Sequence, residues 1–184
     1  MGRAEQTRRE LQEAAVRLFA ARGYDNVTVE EIATAVGVSH MTFFRHFPTK
    51  VSVLVDDPYD PVIGEMVAAT DASLPPLERV TQGILESWAH VDEPDDDAIR
   101  TRFRLLTQHE DLVAAVWSNN RKTEQVIIDA LTSTAVPLLD ARVAAGAVMG
   151  ALMAALIDWG EHENSGTLGD RVRFALEMLG GSDA

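Results

Sequence analysis

Apolar residues recur every three or four positions along most of the chain, a spacing that predicts helices throughout and no strands. Leu11, Ala15 and Phe19 share one face of a first helix, which Gly23 ends. Thr7-Arg8-Arg9-Glu10 has the spacing of a capping box, which predicts the start of that helix. The predicted fold class is therefore all-α. Further helices are expected over residues 62–70, 77–91, 97–108, 110–134, 138–161 and 168–179.

Two short helices joined by a tight turn follow the first helix. A second capping box, Thr28-Val29-Glu30-Glu31, begins one of them, and Gly37 ends it at the turn. Ser39 caps the next helix, from about His40 to Phe47. Pro48 stops that helix and suits the first turn of a fourth. This is the helix-turn-helix arrangement, whose second helix lies in the major groove of DNA.

Charge is unevenly distributed along the chain. The net charge of −13 alone argues against a nucleic-acid partner. However, residues 1–50 hold seven basic and six acidic residues, whereas residues 51–184 hold nine basic and 23 acidic ones. Such asymmetry indicates a division of labour between the two parts. Cysteine is absent, which excludes disulfides, thiolate metal sites and a cysteine nucleophile.

The segment TVEEIATAVGVSHMTFFRHFPTK, preceded by AAVRLFAARGYDNV, resembles the N-terminal DNA-binding domain of TetR-family transcriptional regulators. The resemblance covers roughly residues 7–55, and the rest of the chain matches only in length and helicity. It implies a three-helix DNA-binding domain over residues 1–55, here called the head. It also implies a larger helical domain over residues 56–184, the body, which binds an effector and forms a homodimer.

The resemblance implies three partners: double-stranded operator DNA, a small-molecule effector and a second copy of the chain. The protein is expected to bind a palindromic operator and repress transcription. An apolar or amphipathic effector is expected to release the protein from that operator. An activator, or a DNA-bound scaffold that recruits a protein partner, remains open. An enzyme in the helical body is a weaker alternative, because the sequence has no nucleophile elbow, phosphate loop or paired catalytic carboxylates.

The expected DNA contacts begin at the capping residues and the first turn of the recognition helix. Thr28 and Ser39 offer hydroxyls and neighbouring backbone N–H groups to phosphates. His40, Met41 and Thr42 occupy the first turn, where base edges are within reach. Thr42 can bond to a base or touch a thymine methyl. Met41 stands where the family often has glycine, and both a thymine contact and simple packing remain open for it.

The second half of the recognition helix supplies the remaining DNA contacts. Phe44 stands where the family commonly has tyrosine, so it lacks the hydroxyl that often reaches a phosphate. Affinity is therefore expected to depend more on Thr42, His46 and Lys50. His46 and Lys50 are expected to face the DNA backbone, Lys50 as a point charge at the start of the fourth helix. Arg45 can serve either DNA strand or acidic neighbours.

A long apolar run in the body predicts a buried helix. Val143–Ile157 contains 15 residues without a charge, which is too short to cross a bilayer. Gly146 and Gly150 permit close helix approach, either within the domain or at a dimer seam. The resemblance favours a seam in which helices 138–161 and 168–179 meet their two-fold copies.

Large side chains spread over the body helices are candidates for an effector pocket, although each alone is more simply a core residue. The candidates are Trp88, Phe103, Trp117, Met149, Met153 and Trp159, with His109 and Asn120 as polar neighbours.

No metal site, cofactor or membrane span is expected. The triplets His109-Glu110-Asp111 and Glu161-His162-Glu163 each lack a second histidine at helical spacing, so capped or solvated clusters explain them better. No apolar stretch follows the N-terminal arginines, so no signal peptide is expected. The expected location is the cytoplasm, in association with the bacterial nucleoid.

Overall fold

A computed structural model describes residues 2–56, 60–88, 96–108, 110–162 and 166–180. The described residues form helices and no strand, which confirms the all-α class. The helices are α1 (Arg3–Arg22), α2 (Val29–Val36), α3 (His40–His46), α4 (Ser52–Val55), α5 (Asp60–Ala69), α6 (Pro76–Trp88), α7 (Asp96–Thr107), α8 (Glu110–Ser133), α9 (Leu138–Glu161) and α10 (Leu168–Gly180).

The chain divides into two compact units that are not contiguous in sequence. The first unit is Met1–Asp56 together with Asp97–Val116, and the second is Asp57–Asp96 together with Trp117–Ala184. Both α7 and α8 therefore belong in part to each unit. The N-terminal helices consequently share their unit with a segment from the middle of the chain.

Two helix starts differ from the expectation. Thr7 lies inside α1, where its Oγ1 donates to the carbonyl of Arg3 at 3.0 Å, so the predicted capping box there is wrong. The preceding residues are mostly good helix formers and extend the helix by a turn. Lys50 precedes α4 and does not begin it. The helix begins at Ser52, whose N–H donates to Oγ1 of Thr49 in the preceding turn at 3.2 Å.

The core of the first unit is built from apolar faces of helices distant in sequence. Leu11 and Phe19 of α1 are fully buried against Ile32 of α2. Leu105 of α7 and Leu112 of α8 belong to the same cluster. Burial of a large aliphatic side chain contributes roughly 1.5–3 kcal/mol, so residues 97–116 help to stabilise the helices that precede them.

The second unit packs α6 against α5, α9 and α10. A Cβ added at Gly83 of α6 would lie 2.7 Å from backbone atoms of Val67 on α5. A Cβ at Gly64 would lie 2.8 Å from Cγ1 of Val126. These distances are shorter than van der Waals contact, so both glycines are needed where helices approach closely. Hydrophobic patterning did not indicate either position.

A fully buried arginine joins two helix ends in the second unit. Nε of Arg79 donates to Oγ1 of Thr70 at 3.0 Å, and its Nη1 donates to Oγ1 of Thr134 at 2.9 Å. Its Nη2 donates to the carbonyl of Val67 at 3.4 Å. The two threonines follow the C-terminal ends of α5 and α8. Carbonyls at those ends carry partial negative charge, which favours a cation.

The long apolar helix is not buried on most sides, contrary to expectation. On α9, Leu139 is 70% exposed and Val143 is 64% exposed, while Ala144 and Val148 are buried. A Cβ at Gly150 would meet no described atom within 4 Å, so this glycine does not serve close packing inside the chain. The helix therefore has one packed side and one open apolar side.

The whole of α9 also exceeds the uncharged run seen in the sequence. It has 24 residues and contains an 18-residue stretch of mean hydropathy 1.6, so it is long and apolar enough to cross a bilayer by length and composition. The uncharged run of 15 residues underestimates the length of α9, because the helix continues past the charged residues at both ends of that run. Core helices meet the same criteria, and α9 packs against α6 and α10, so this is weak evidence for a membrane.

Candidate nucleic-acid interface

The turn between α2 and α3 has the predicted geometry. The N–H of Thr28 donates to Oε2 of Glu31 at 2.8 Å, and the N–H of Glu31 donates to Oγ1 of Thr28 at 3.2 Å, which confirms the capping box. Gly37 has φ 76° and ψ 28°, a left-handed conformation that strains other residues. The N–H of Val38 then donates to the carbonyl of Ala33 at 2.9 Å and ends α2.

The N-terminal end of α3 is fixed by a short chain of hydroxyls. Oγ of Ser39 accepts from the N–H of Thr42 at 3.1 Å, which confirms Ser39 as the cap. Oγ1 of Thr42 lies 3.0 Å from Oγ of Ser39 and accepts from Nη2 of Arg45 at 3.3 Å. Thr42 is half-buried, and its hydroxyl is already bonded within the helix. Since a hydroxyl has one donor and two acceptor sites, these two bonds leave one site of Thr42 for a base.

The recognition helix, α3, presents one buried side and one exposed side. Phe43 and Phe47 are fully buried in the core of the first unit. Met41 is 62% exposed and Phe44 is 44% exposed, so neither packs chiefly into the interior. His40 and Arg45 are also exposed. The exposed side thus combines apolar and polar groups of the types that read base edges and phosphates.

His46 ends α3 in a half-buried position. Its carbonyl accepts from Nη1 of Arg8 at 3.1 Å. Burial lowers the pKa of His46, and the positive charges of Arg8 and Arg45 lower this pKa further. The imidazole is therefore neutral at neutral pH and adds no cation to the surface unless DNA binding raises its pKa.

Lys50 is anchored to the loop that follows α1. Its Nζ donates to the carbonyl of Tyr24 at 2.5 Å and lies 4.1 Å from the centroid of the Tyr24 ring. Burial lowers the pKa of Lys50, whereas the nearby acids Asp25 and Glu31 raise it. An ammonium group has three donors, so one bond to Tyr24 leaves donors for a phosphate.

Arg8 is a residue of this region whose role was not predicted. Its Nη2 lies 3.5 Å from Oδ2 of Asp56, and its guanidinium lies 4.6 Å from the centroid of the Phe47 ring. The sequence contained a signal for this role. Arg8 precedes Leu11 and Ala15 by three and seven positions, so it lies on the buried face of α1.

The effector candidates are distributed over both units. Phe103 belongs to the first unit, whereas Trp88, Trp117, Asn120, Met149 and Met153 belong to the second, and His109 lies outside the described residues. Met149 is buried in the second core, and Trp88 packs against it. Trp117 is half exposed. Asn120 is buried, and its Oδ1 has no hydrogen-bond partner within the described part of the chain.

Trp159 is fully buried, and its Nε1 donates to the carbonyl of Gly166 at 2.9 Å, which fits a core residue. A surface groove of about 440 Å³ lies in the second unit, and none of the effector candidates lines it. Its walls include Leu77, Glu78 and Leu85 of α6 and Leu179 of α10. Among the described residues, no three His, Asp or Glu side chains are grouped to hold a metal ion.

Two family models together match most of the chain. Residues 11–56 match the model described as bacterial regulatory proteins, tetR family, and residues 74–182 match the MftR C-terminal domain. The regulator TcmR of Streptomyces glaucescens is 53% identical over 47 residues, which are 26% of this chain and 21% of TcmR. The mycofactocin biosynthesis regulator MftR of Mycobacterium tuberculosis is 27% identical over 114 residues, 61% of this chain and 57% of MftR. The matches thus span between a fifth and three fifths of these two relatives.

Solved structures of similar fold cover nearly the whole chain. NalD, the secondary repressor of the MexAB-OprM multidrug efflux pump in Pseudomonas aeruginosa, has a TM-score of 0.57 at 20% identity, with 95% of each chain covered. SmeT of Stenotrophomonas maltophilia, solved as a triclosan complex, has a TM-score of 0.60 at 20% identity, covering 95% of this chain and 90% of SmeT. FadR of Thermus thermophilus, solved with lauroyl-CoA, has a TM-score of 0.50 at 20% identity, covering 96% and 98%.

Proposed function

The chain belongs to the TetR family of transcriptional regulators, and on that premise we propose that it is a homodimeric repressor that a small molecule releases from a palindromic operator. Residues 1–55 bind the operator, and residues 56–184 bind the effector and the second copy. The site of action is the cytoplasm, at the nucleoid, where operator DNA lies. The acidic body repels DNA and confines contact to the heads.

The exposed side of α3 carries the proposal of DNA binding. Its side chains can reach bases only because Phe43 and Phe47 anchor the opposite side in the core. Contacts to bases are assigned to the first turn, and contacts to the DNA backbone to the capping residues and the second turn. The assigned residues are Thr28, Ser39, His40, Met41, Thr42, Phe44, Arg45, His46 and Lys50.

Fluorescence anisotropy with DNA from upstream of the protein's own gene tests this function. Specific binding should be tight, strongest at low salt, and much weaker for a scrambled duplex at the same salt concentration. If the protein does not bind the upstream duplex specifically, duplexes that it does bind can be selected from a pool of random sequence. Equal weak binding to every selected and scrambled duplex would contradict the proposal.

Exposed apolar groups on two packed helices support the homodimer. Phe174 and Met178 of α10 are 51% and 69% exposed, and α10 packs on α9, which exposes Leu139 and Val143. Apolar groups at such spacing on neighbouring helices form a stripe of the kind that a partner covers. A second copy fits best, because a two-fold dimer places two recognition helices about 34–36 Å apart, one turn of DNA.

Light scattering on a sizing column tests the dimer. Val143→Glu places a charge in the proposed seam and should yield monomers at concentrations where the wild type is dimeric. Val113→Glu is the matched control, because Val113 is also exposed but lies on α8. A dimer that survives Val143→Glu as well as it survives Val113→Glu would contradict a seam at α9.

The buried amide of Asn120 supports a small-molecule site in the body. A buried carbonyl without a partner costs about 1–3 kcal/mol, and a ligand donor that pairs with it recovers this energy. The effector should therefore carry a hydrogen-bond donor on an otherwise apolar frame. The excess of acidic residues in the body favours a neutral or cationic molecule over an anionic one.

Two probes come from the solved structures of similar fold. Triclosan is a small amphipathic phenol, whereas lauroyl-CoA is a large anion, so thermal shift should respond to triclosan more strongly. Asn120→Leu removes the unpaired carbonyl and keeps the branched shape of the side chain. It should raise the melting temperature of the free protein while weakening the shift with any responding ligand. Lower stability of Asn120→Leu would show that the amide has a structural role.

A further inference from the structure

Arg102 of α7 is bonded to the residues that end α4. Its Nε donates to the carbonyl of Leu54, and its Nη2 donates to the carbonyl of Asp56 at 3.4 Å. Carbonyls at the end of a helix lack partners within the helix, and an arginine can satisfy two of them at once. Gln12 of α1 donates to the same Asp56 carbonyl at 3.1 Å. The end of α4 is therefore held by side chains from both α7 and α1.

Arg8 connects the same residues to the recognition helix. It pairs with the carboxylate of Asp56 at 3.5 Å and donates to the carbonyl of His46 at 3.1 Å. Since His46 is the last residue of α3, this bond also satisfies an open helix carbonyl. The stacking of Arg8 over the buried Phe47 ring limits the freedom of the guanidinium.

Helix α7 begins in the second unit and continues into the first. Asp96, the first residue of α7, belongs to the second unit, where its carboxylate accepts from the N–H of Leu168 at 3.2 Å. The rest of α7 belongs to the first unit, and α8 returns the chain to the second unit at Trp117. Arg102 therefore lies in the same unit as Leu54, Asp56 and Arg8, and its contacts with the end of α4 are internal to the first unit.

We infer that Arg102, Asp56 and Arg8 form a polar chain that runs from α7 through the end of α4 and positions the C-terminal end of the recognition helix. The inference rests on the proposed function, because the helix that this chain positions is the one assigned to contact DNA. The recognition helix has only seven residues, and Ser39 fixes its other end. A small shift at His46 therefore changes the angle at which the helix enters a groove.

Hydrogen–deuterium exchange on the full-length protein tests the chain without DNA or ligand. Arg102→Gln removes the guanidinium but keeps a good helix former. Exchange should rise about tenfold in residues 52–56 and also in residues 43–47, equivalent to about 1.4 kcal/mol of local stability. Exchange in α2, residues 29–36, should not change. Arg8→Gln should affect the same two segments.

Arg121→Gln is the control, because Arg121 is exposed on α8 in the second unit and carries the same charge. It should leave both segments unchanged. A rise confined to residues 52–56 in the Arg102 variant would overturn the inference, since Arg102 would then only cap α4. A uniform rise through α2 as well would also overturn it, because the arginine would then stabilise the whole head.

A DNA measurement extends the test on a duplex that the wild type selects from a random pool. Arg102→Gln should reduce the ratio of specific to scrambled affinity about tenfold and leave the salt slope unchanged, because no phosphate contact is lost. A fall in the salt slope would overturn the positioning role. If the wild type selects no duplex, the proposed function fails, and the exchange measurement still decides the polar chain.

Discussion

Replacing Gly83 by alanine should destabilise the protein, although alanine is the better helix former. Alanine gains about 1 kcal/mol over glycine inside a helix. The new Cβ would lie 2.7 Å from the Val67 Cα, N and Cγ2 atoms, where ordinary contacts begin near 3.4 Å. Two of those atoms are backbone, so α5 and α6 must separate and lose contacts along their length.

The expected net effect follows from the size of these two terms. Overpacking of a dense core costs typically about 1–3 kcal/mol, and the contact with backbone atoms places this site at roughly 2–3 kcal/mol, so after the helix gain of about 1 kcal/mol the variant should lose roughly 1–2 kcal/mol. For a chain of this length the melting temperature should fall by about 2–8 °C. Urea unfolding followed by circular dichroism, at fixed protein concentration, measures the loss directly.

Gly64→Ala provides the graded control for this prediction. Its Cβ would lie 2.8 Å from a side-chain methyl of Val126, which can move more easily than backbone. The loss should therefore be smaller than for Gly83→Ala. Equal or greater stability of Gly83→Ala than wild type would refute the close approach of α5 and α6, as would a larger loss for Gly64→Ala.

Three further predictions concern the interface and the seam. Lys50→Ala should weaken binding to all DNA sequences alike and lower the salt slope by about 0.9 per subunit; an unchanged slope in anisotropy titrations would make the ammonium a purely structural anchor for Tyr24. Because the pKa of His46 is lowered in the folded protein, stability should be full above the ordinary value of 6.5 and should fall as the pH drops below it. Urea unfolding at several pH values should show that His46→Gln flattens this decline, and an equal decline in both proteins would contradict it. Gly150→Ala adds a methyl to open space in one chain, so a weaker dimer on dilution would show that α9 approaches its copy closely, whereas an unchanged dimer would argue against close approach there.

The local signals of the helix-turn-helix were sufficient to predict its backbone. Capping at Thr28 and Ser39 depends on residues three positions away, and the left-handed turn depends on Gly37 alone. These features depend on residues within about one helical turn of each other, so the local sequence is enough to predict them. The failed capping box at Thr7 shows the limit, because a threonine hydroxyl can also bond to the carbonyl one turn earlier inside a helix.

Features that depend on distant contacts could not be predicted. Lys50 looked like a free surface cation, yet its ammonium is bonded to Tyr24, 26 positions away. Arg79 gave no local signal because its partners, Thr70 and Thr134, come from other parts of the chain. Apolar periodicity showed that α9 has apolar groups on all sides, but it could not show which side other helices would leave open.

The discontinuous first unit sets a rule for recombination between regulators. Exchanging DNA specificity by cutting after residue 55 would separate α1 and α4 from Leu105, Leu112 and Arg102, which pack or bond with them. A chimaera that joins this N-terminal segment to a foreign body would have to carry residues 97–116 or supply equivalents at each position. Gene fusion in evolution is subject to the same constraint. A domain newly fused to this N-terminal segment must supply helices that pack on α1 and α4 as residues 97–116 do.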